Sequence, residues 1–209
     1  MAGLRQRIGR NWAERSGYVK NWFRRRDKGE DIAHALYITA VAQARSPVFY
    51  RDHGVPDSVD GRFDLIVMHV YLVLGVFNRL ALQDDGGKAA ARAAEIAQSL
   101  FDTMFGDMDR SLREMGVSDI AVGKRVKHMA KSFYGRVAAY DAGLAGDNDV
   151  LCDALERNLF GTVNPDKQHL TAMAGYLRYQ AAHMALVSED SALSGTMQFA
   201  DWPKKMAER

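Results

Sequence analysis

Six histidines, one cysteine and a dense run of acids and bases between Phe101 and Tyr140 are the groups in this chain best equipped for chemistry. The histidines stand at 34, 53, 69, 128, 169 and 183, and none forms an HExxH, a Cys-His cluster or the Glu-x-x-His pair of a di-iron bundle. No metal site is therefore expected. His69 lies on an apolar run and reads as a hydrogen-bonded core residue, whereas His53 and His128, in polar surroundings, read as surface or interface groups. Cys152 has no partner for a disulfide framework and no redox motif, so it reads as a small core residue in a reducing compartment. Gly116, Gly123 and Gly135 assemble neither a GxGxxG nor a Walker loop, so nothing supports a nucleotide and no cofactor is expected.

The acids and bases are the remaining candidates. Asp107 and Asp109 form a carboxylate pair of the kind used in general acid-base catalysis, but flanking Arg110 and Arg113 should hold them ionised, and with Glu114 the run's acids and bases sit close enough to neutralise one another. A structural ion-pair network is the favoured reading. The rival is a small-molecule enzyme with a pocket around Tyr50, Arg62, Asp109 and Arg113. Tyr134 and Arg136 follow on the same segment, where a partner contact and helix packing explain them equally well.

These groups are carried on helices. Residues 31–45 place Ala33, Leu36, Tyr37, Ala40, Val41 and Ala44 on one face, and Pro47 ends that helix. Residues 46–61 are rich in turn formers yet hold Phe49, Tyr50 and Val55, which predicts an ordered loop pinned by aromatics. Residues 62–82 are the most hydrophobic stretch. Only residues 65–77 are nearly uncharged, His69 interrupts them, and a bilayer span needs about 20 apolar residues, so a buried core helix is predicted and no membrane span. Further helices are predicted over 88–105, from Ser118 through Leu144, over 150–160 and from Asn164-Pro165 to about Val187. No alternation of useful length predicts a strand. The fold class is all-α, one helical domain over 29–187, with a basic amphipathic arm over 1–28 and a loosely attached tail over 188–209.

The arm carries nine lysines and arginines against two acids, a net of +7, in a chain whose overall net charge is +2. Leu4, Ile8 and Trp12 recur at four-residue spacing, and Trp22 and Phe23 continue the stripe beside Arg5, Arg24 and Arg25. Rings at headgroup depth beside guanidinium groups suit an interfacial helix on an anionic membrane surface; RNA is the other anionic partner, and a first helix packed on the body with solvated cations is the plain alternative. DNA is not expected. The N-terminus lacks an apolar leader core and a small-residue cleavage site, which predicts a cytoplasmic protein.

The segments ARSPVFYRDHGVPDSVDGRFDLIVMHVYLVL, FDTMFGDMDRSLREMGVSDIAVGKRVKHMAKSFYGR and LERNLFG together resemble the ubiquinol-cytochrome c chaperone family, over roughly residues 30–185. The runs VPDSVDGRF and DMDRSLREMGV carry most of that resemblance. It implies a non-enzymatic assembly factor that binds newly made cytochrome b, with a small partner protein and the ribosome as further contacts. It also implies a bacterial member at the inner membrane, or the matrix side of a mitochondrion if the source is eukaryotic. The family supplies no catalytic residues. The motif positions that become candidates for client or partner binding are Phe49, Tyr50, Asp57, Arg62, Asp107, Asp109, Arg110, Arg113 and Glu114, with Tyr134 and Arg136 beside them. Ten methionines, among them Met104, Met108, Met115 and Met129, are either adaptable groove residues or core filler.

Overall fold

The architecture follows from where apolar faces recur. In the computed structural model, which describes residues 28–83 and 87–202, every regular element is helical and no strand occurs among the described residues. Helix α1 is Lys28–Ala44, with Glu30 and Asp31 in its first turn, where acids suit the helix dipole, and Ala33, Leu36, Tyr37, Ala40 and Ala44 on its buried face. Pro47 opens the short α2, Pro47–Arg51, its fixed φ suiting a first helical position. The expected ordered loop over 46–61 thus contains a helical turn. Phe49 and Val55 are buried there, and the Tyr50 hydroxyl donates to the Ala44 carbonyl at 2.9 Å.

Helix α3, Val59–Gln83, is the centre of the molecule. By length and composition it could cross a membrane, but 72% of its apolar window is buried inside the protein, as expected of a core helix. It packs against α1, against α4 (Lys88–Glu114), and against α7 (Lys167–Ala185) and α8 (Glu189–Ser194). Helix α5, Asp119–Ala145, leans on α4 and is followed by α6, Asn148–Asn158, which joins it to α7. Gly143 on α5 lets α6 approach so closely that a Cβ there would lie 2.9 Å from the Leu151 Cα. Helix α4 runs to Glu114, beyond the expected end at Phe105, because Met104, Phe105, Met108 and Leu112 continue its buried stripe.

Two expectations fail in the structure. Residues 188–202 are not a loose tail. Ala192 and Met197 are buried, Phe199 and Trp202 pack on the core, and the Gln180 side chain holds Ala200 by donating to its carbonyl at 2.7 Å and accepting its N–H at 3.0 Å. The segment looked polar because its large apolar residues, Leu193, Met197, Phe199 and Trp202, are separated by small and polar ones. His53 is also not a surface group: it is 1% exposed, beside Phe49, and burial lowers its pKa. The arm residues Arg5, Trp12, Trp22, Phe23, Arg24 and Arg25 lie outside the described residues, as do 203–209.

Most methionines fill the core. Met68, Met104, Met108, Met173, Met184 and Met197 are buried, Met129 is half-buried, and Met115, at 53% exposed, is the one strongly exposed methionine among the described residues.

Candidate functional site

The run VPDSVDGRF acts as a clasp at the start of α3. Ser58 accepts the Gly61 N–H in its side chain at 3.1 Å, which caps the helix. Asp57 pairs with Arg62 at 2.6 Å across that first turn. A Cβ on Gly61 would lie 2.1 Å from the Pro56 carbonyl oxygen, so only glycine lets the incoming backbone cross the helix here. Phe63 lies under the Arg136 guanidinium at 5.9 Å, and Arg136 donates to Asp64 at 2.6 Å. One stretch of chain therefore ties the loop, α3 and α5 together.

Asp64 and Arg136 are largely shielded from water, and the burial has an electrostatic consequence. The Asp64 carboxyl is pushed up to about 6, because desolvation outweighs the attraction of Arg136. A second polar bridge, from the Tyr71 hydroxyl to Asp141 at 2.9 Å, crosses between the same two helices. Both bridges step forward in sequence on α3 and α5, so the two helices run in the same direction there.

The charged run on α4 divides. Asp107 accepts the Tyr37 hydroxyl at 2.8 Å, so it fastens α1 to α4 rather than meeting an arginine. Asp109 pairs with Arg113 at 2.6 Å, and Arg113 also reaches Asp119 at the start of α5, closing the α4–α5 corner. Arg110 and Glu114 are exposed and have no ion pair among the described residues. Phe49 is 1% exposed, its ring edge-on to Tyr176 at 4.9 Å. Tyr50 is half-buried. Tyr134 stacks beside Phe101 and Phe133, and burial pushes its hydroxyl up to about 12.

The candidates thus do not converge. Tyr50, Asp57 and Arg62 sit by the clasp and Asp109 and Arg113 at the α4–α5 corner, each arginine engaged by a different aspartate. The pocket that the enzyme reading requires is not assembled by any contact between the two groups. No cluster of metal-ligating side chains occurs among the described residues.

Sequence reasoning missed the most buried polar assembly. His69 donates from Nδ1 to the Leu65 carbonyl at 2.7 Å, and its Nε2 accepts the Tyr176 hydroxyl at 2.7 Å, while Tyr176 accepts from Gln43 at 3.0 Å. That places a neutral imidazole at the meeting point of α1, α3 and α7, with a pKa lowered by burial to about 4. The signal for His69 as a core residue was present in its apolar run; Tyr176 lies 107 residues from His69 and 133 from Gln43, and spacing gave no signal for either bond. Arg178 was missed as well. It donates to the carbonyls of Gly143, Leu144, Gly146 and Asp147 at 2.8–3.1 Å, satisfying the end of α5.

With this geometry in hand, comparison with known proteins is informative. The family model described as "Ubiquinol-cytochrome C chaperone" matches residues 51–199. The ubiquinol-cytochrome-c reductase complex assembly factor 1 of Xenopus laevis is 24% identical over 174 residues, covering 83% of this chain and 82% of that protein. The mitochondrial protein CBP3 of Saccharomyces cerevisiae is 28% identical over 155 residues, covering 72% of this chain and 44% of the yeast protein. The human assembly factor 1 is matched over 52% of its length, so the chain spans only about half of several relatives. The crystal structure of the Cbp3 homolog from Brucella abortus superposes with a TM-score of 0.70 at 32% identity, over 83% of this chain and 91% of the other. Sequence, length of match and three-dimensional form agree, and the chain belongs to the ubiquinol-cytochrome c chaperone family.

Proposed function

We propose that this protein is a non-enzymatic assembly factor for ubiquinol-cytochrome c reductase, and that its client is newly made cytochrome b. The observation that carries the reading is the match to the Brucella Cbp3 homolog over most of both chains, together with relatives named as assembly factors of that complex. The arrangement supports it in a sense specific to these residues: the motif carboxylates Asp57, Asp64, Asp107 and Asp109 are each engaged, by an arginine or by the Tyr37 hydroxyl, in holding the helices. Client contact then falls to the outward-facing members, Arg110, Glu114 and the outer edge of Tyr50, and to exposed Met115 between α4 and α5. A small partner protein and the ribosome are further contacts within the same reading.

Photocrosslinking in cells synthesising cytochrome b tests it. A photoreactive residue at 110 or 50 is expected to attach to cytochrome b, and one at buried position 49 is not. Folded, abundant probe protein that never crosslinks to cytochrome b from 50, 110 or 115, with normal heme b spectra in a deletion strain, refutes the proposal.

A further inference from the structure

The first half of α5 presents a face of single charge. Residues 120–140 contain Lys124, Arg125, Lys127, Lys131 and Arg136 and no acid, whereas the rest of residues 29–209 holds fourteen cations against twenty-four acids. Arg136 is engaged by Asp64, but Lys124, Arg125, Lys127 and Lys131 are all exposed, with no ion pair among the described residues. At 100° per residue, Lys124, Lys127, His128 and Lys131 fall in one stripe, opposite the core-facing Val122, Ala130 and Phe133. Ile120 belongs to the same stripe, one turn before Lys124, and is 79% exposed; Met115, just before it, is 53% exposed. A bare isoleucine on a cationic stripe has no reason to face water.

We propose that this face of α5 is a docking surface for an anionic lipid bilayer, with Lys124, Arg125, Lys127 and Lys131 meeting headgroup phosphates and Ile120 and Met115 entering the acyl boundary. Charge complementarity excludes the chain's own ends as its cover: residues 1–28 carry nine cations against two acids, and residues 203–209 three against one. The apolar residues favour lipid over nucleic acid. Single strands are held by stacking on exposed aromatic rings, but the rings of α5, Phe133, Tyr134 and Tyr140, turn toward the protein. Amphipathic surface helices that bind membranes pair cations with aliphatic side chains, as here. The surface shares only Met115 with the client reading and does not depend on it.

The test uses the full chain and vesicles of phosphatidylcholine with or without about 30 mol% phosphatidylglycerol. Each cation near an anionic surface contributes enough that replacing four by glutamine (K124Q, R125Q, K127Q, K131Q) is expected to lower the partition coefficient by at least about tenfold. Because the basic arm can bind the same vesicles, a local readout is needed. An environment-sensitive fluorophore attached at Ile120→Cys, in a Cys152→Ala background, is expected to shift to the blue on anionic vesicles and not on neutral ones, and the shift is expected to reverse at high salt. Unchanged partitioning of the fourfold variant, or a label at 120 that stays in water while the protein is vesicle-bound, overturns the proposal. Loss of binding to a single-stranded RNA homopolymer, with vesicle binding intact, overturns it in favour of RNA.

Discussion

His69 and Asp64 are expected to drive stability in opposite directions over nearly the same pH range. His69 has its pKa lowered from 6.5 to about 4, so on acidification the unfolded chain takes up a proton that the folded chain refuses. Its contribution is complete above about 6.5 and is lost as pH falls toward 4. Asp64 has its pKa raised from 3.8 to about 6, so the folded chain holds a proton that the unfolded chain has released. Its contribution is complete below about 3.8 and is lost as pH rises toward 6. At about 1.4 kcal/mol per pH unit, each amounts to about 3 kcal/mol across its window. The wild-type curve is therefore flatter than either group alone would make it, with buried His53 adding in the same sense as His69.

Two variants, one single and one double, separate the two groups. Asp64→Asn keeps a hydrogen-bond acceptor for Arg136 and removes the titration. His69→Leu combined with Tyr176→Phe replaces both ends of the buried hydrogen bond by apolar groups, so no imidazole nitrogen is stranded; the half-buried Gln43 amide loses its acceptor, which adds an offset that does not vary with pH. Urea unfolding followed by circular dichroism between about pH 4 and pH 7 gives the stability of each variant minus that of the wild type. That difference should rise by about 3 kcal/mol with pH for Asp64→Asn and fall by about 3 kcal/mol for the double variant, whatever constant offset either carries. A difference flat with pH for either variant refutes the assigned burial. A reversed sign for Asp64 would mean that Arg136 outweighs desolvation.

Tyr176→Phe alone keeps the ring packing on Phe49 and Trp202 but strands the buried His69 Nε2; a loss of about 2 kcal/mol, seen as a melting temperature lower by about 4–8 °C, is expected. Gly61→Ala must push against the Pro56 backbone and should cost more than about 2 kcal/mol, whereas Gly75→Ala on the same helix, with open space around it, should stabilise by about 0.5–1 kcal/mol; equal effects in urea unfolding would refute the close approach. Arg178→Met removes the donors to four carbonyls and should cost about 2–3 kcal/mol by the same measurement, with Arg178→Lys recovering only part because an ammonium cannot fork. In hydrogen exchange, amides of residues 120–128, where Val122 is the one buried side chain, should exchange well before those of 133–143, anchored by Phe133, Val137, Tyr140 and Gly143; uniform protection along α5 would contradict this.

The helices were readable because each buries one face, and a 3.6-residue recurrence of apolar side chains is a local property. Leu65 to Phe77 revealed the core helix, and Ala33 to Ala44 the first one, without any knowledge of their neighbours. The docked segment after Ser188 was not readable, since Met197, Phe199 and Trp202 recur with no regular period and are held by an amide on Gln180 that sequence spacing does not connect to Ala200. The same limit applied to charge. Asp109 and Arg113 lie one helical turn apart and their pairing follows from spacing, but Asp107 with Tyr37, Asp64 with Arg136 and Tyr71 with Asp141 are each about 70 residues apart.

That distinction bears on how a motif should be used. VPDSVDGRF is among the most recognisable runs in the chain, and its residues cap α3, clasp the preceding loop, admit a close backbone crossing and seat Arg136. Each of those tasks restricts the residue type, and each engages the protein's own elements, even where the side chains, as in the exposed Asp57–Arg62 pair, stay in water. A surface that grips a long apolar client or a bilayer has weaker demands: several cations will serve in place of one, and isoleucine, leucine or methionine can enter the same apolar space. In this chain the exposed patches proposed for those roles are the α4–α5 corner with Met115 and Arg110 and the outer stripe of α5 from Ile120 to Lys131. The run that carries most of the resemblance thus sets the positions of α3 and α5, and on the proposed reading the client and bilayer contacts fall to side chains that those elements present outward.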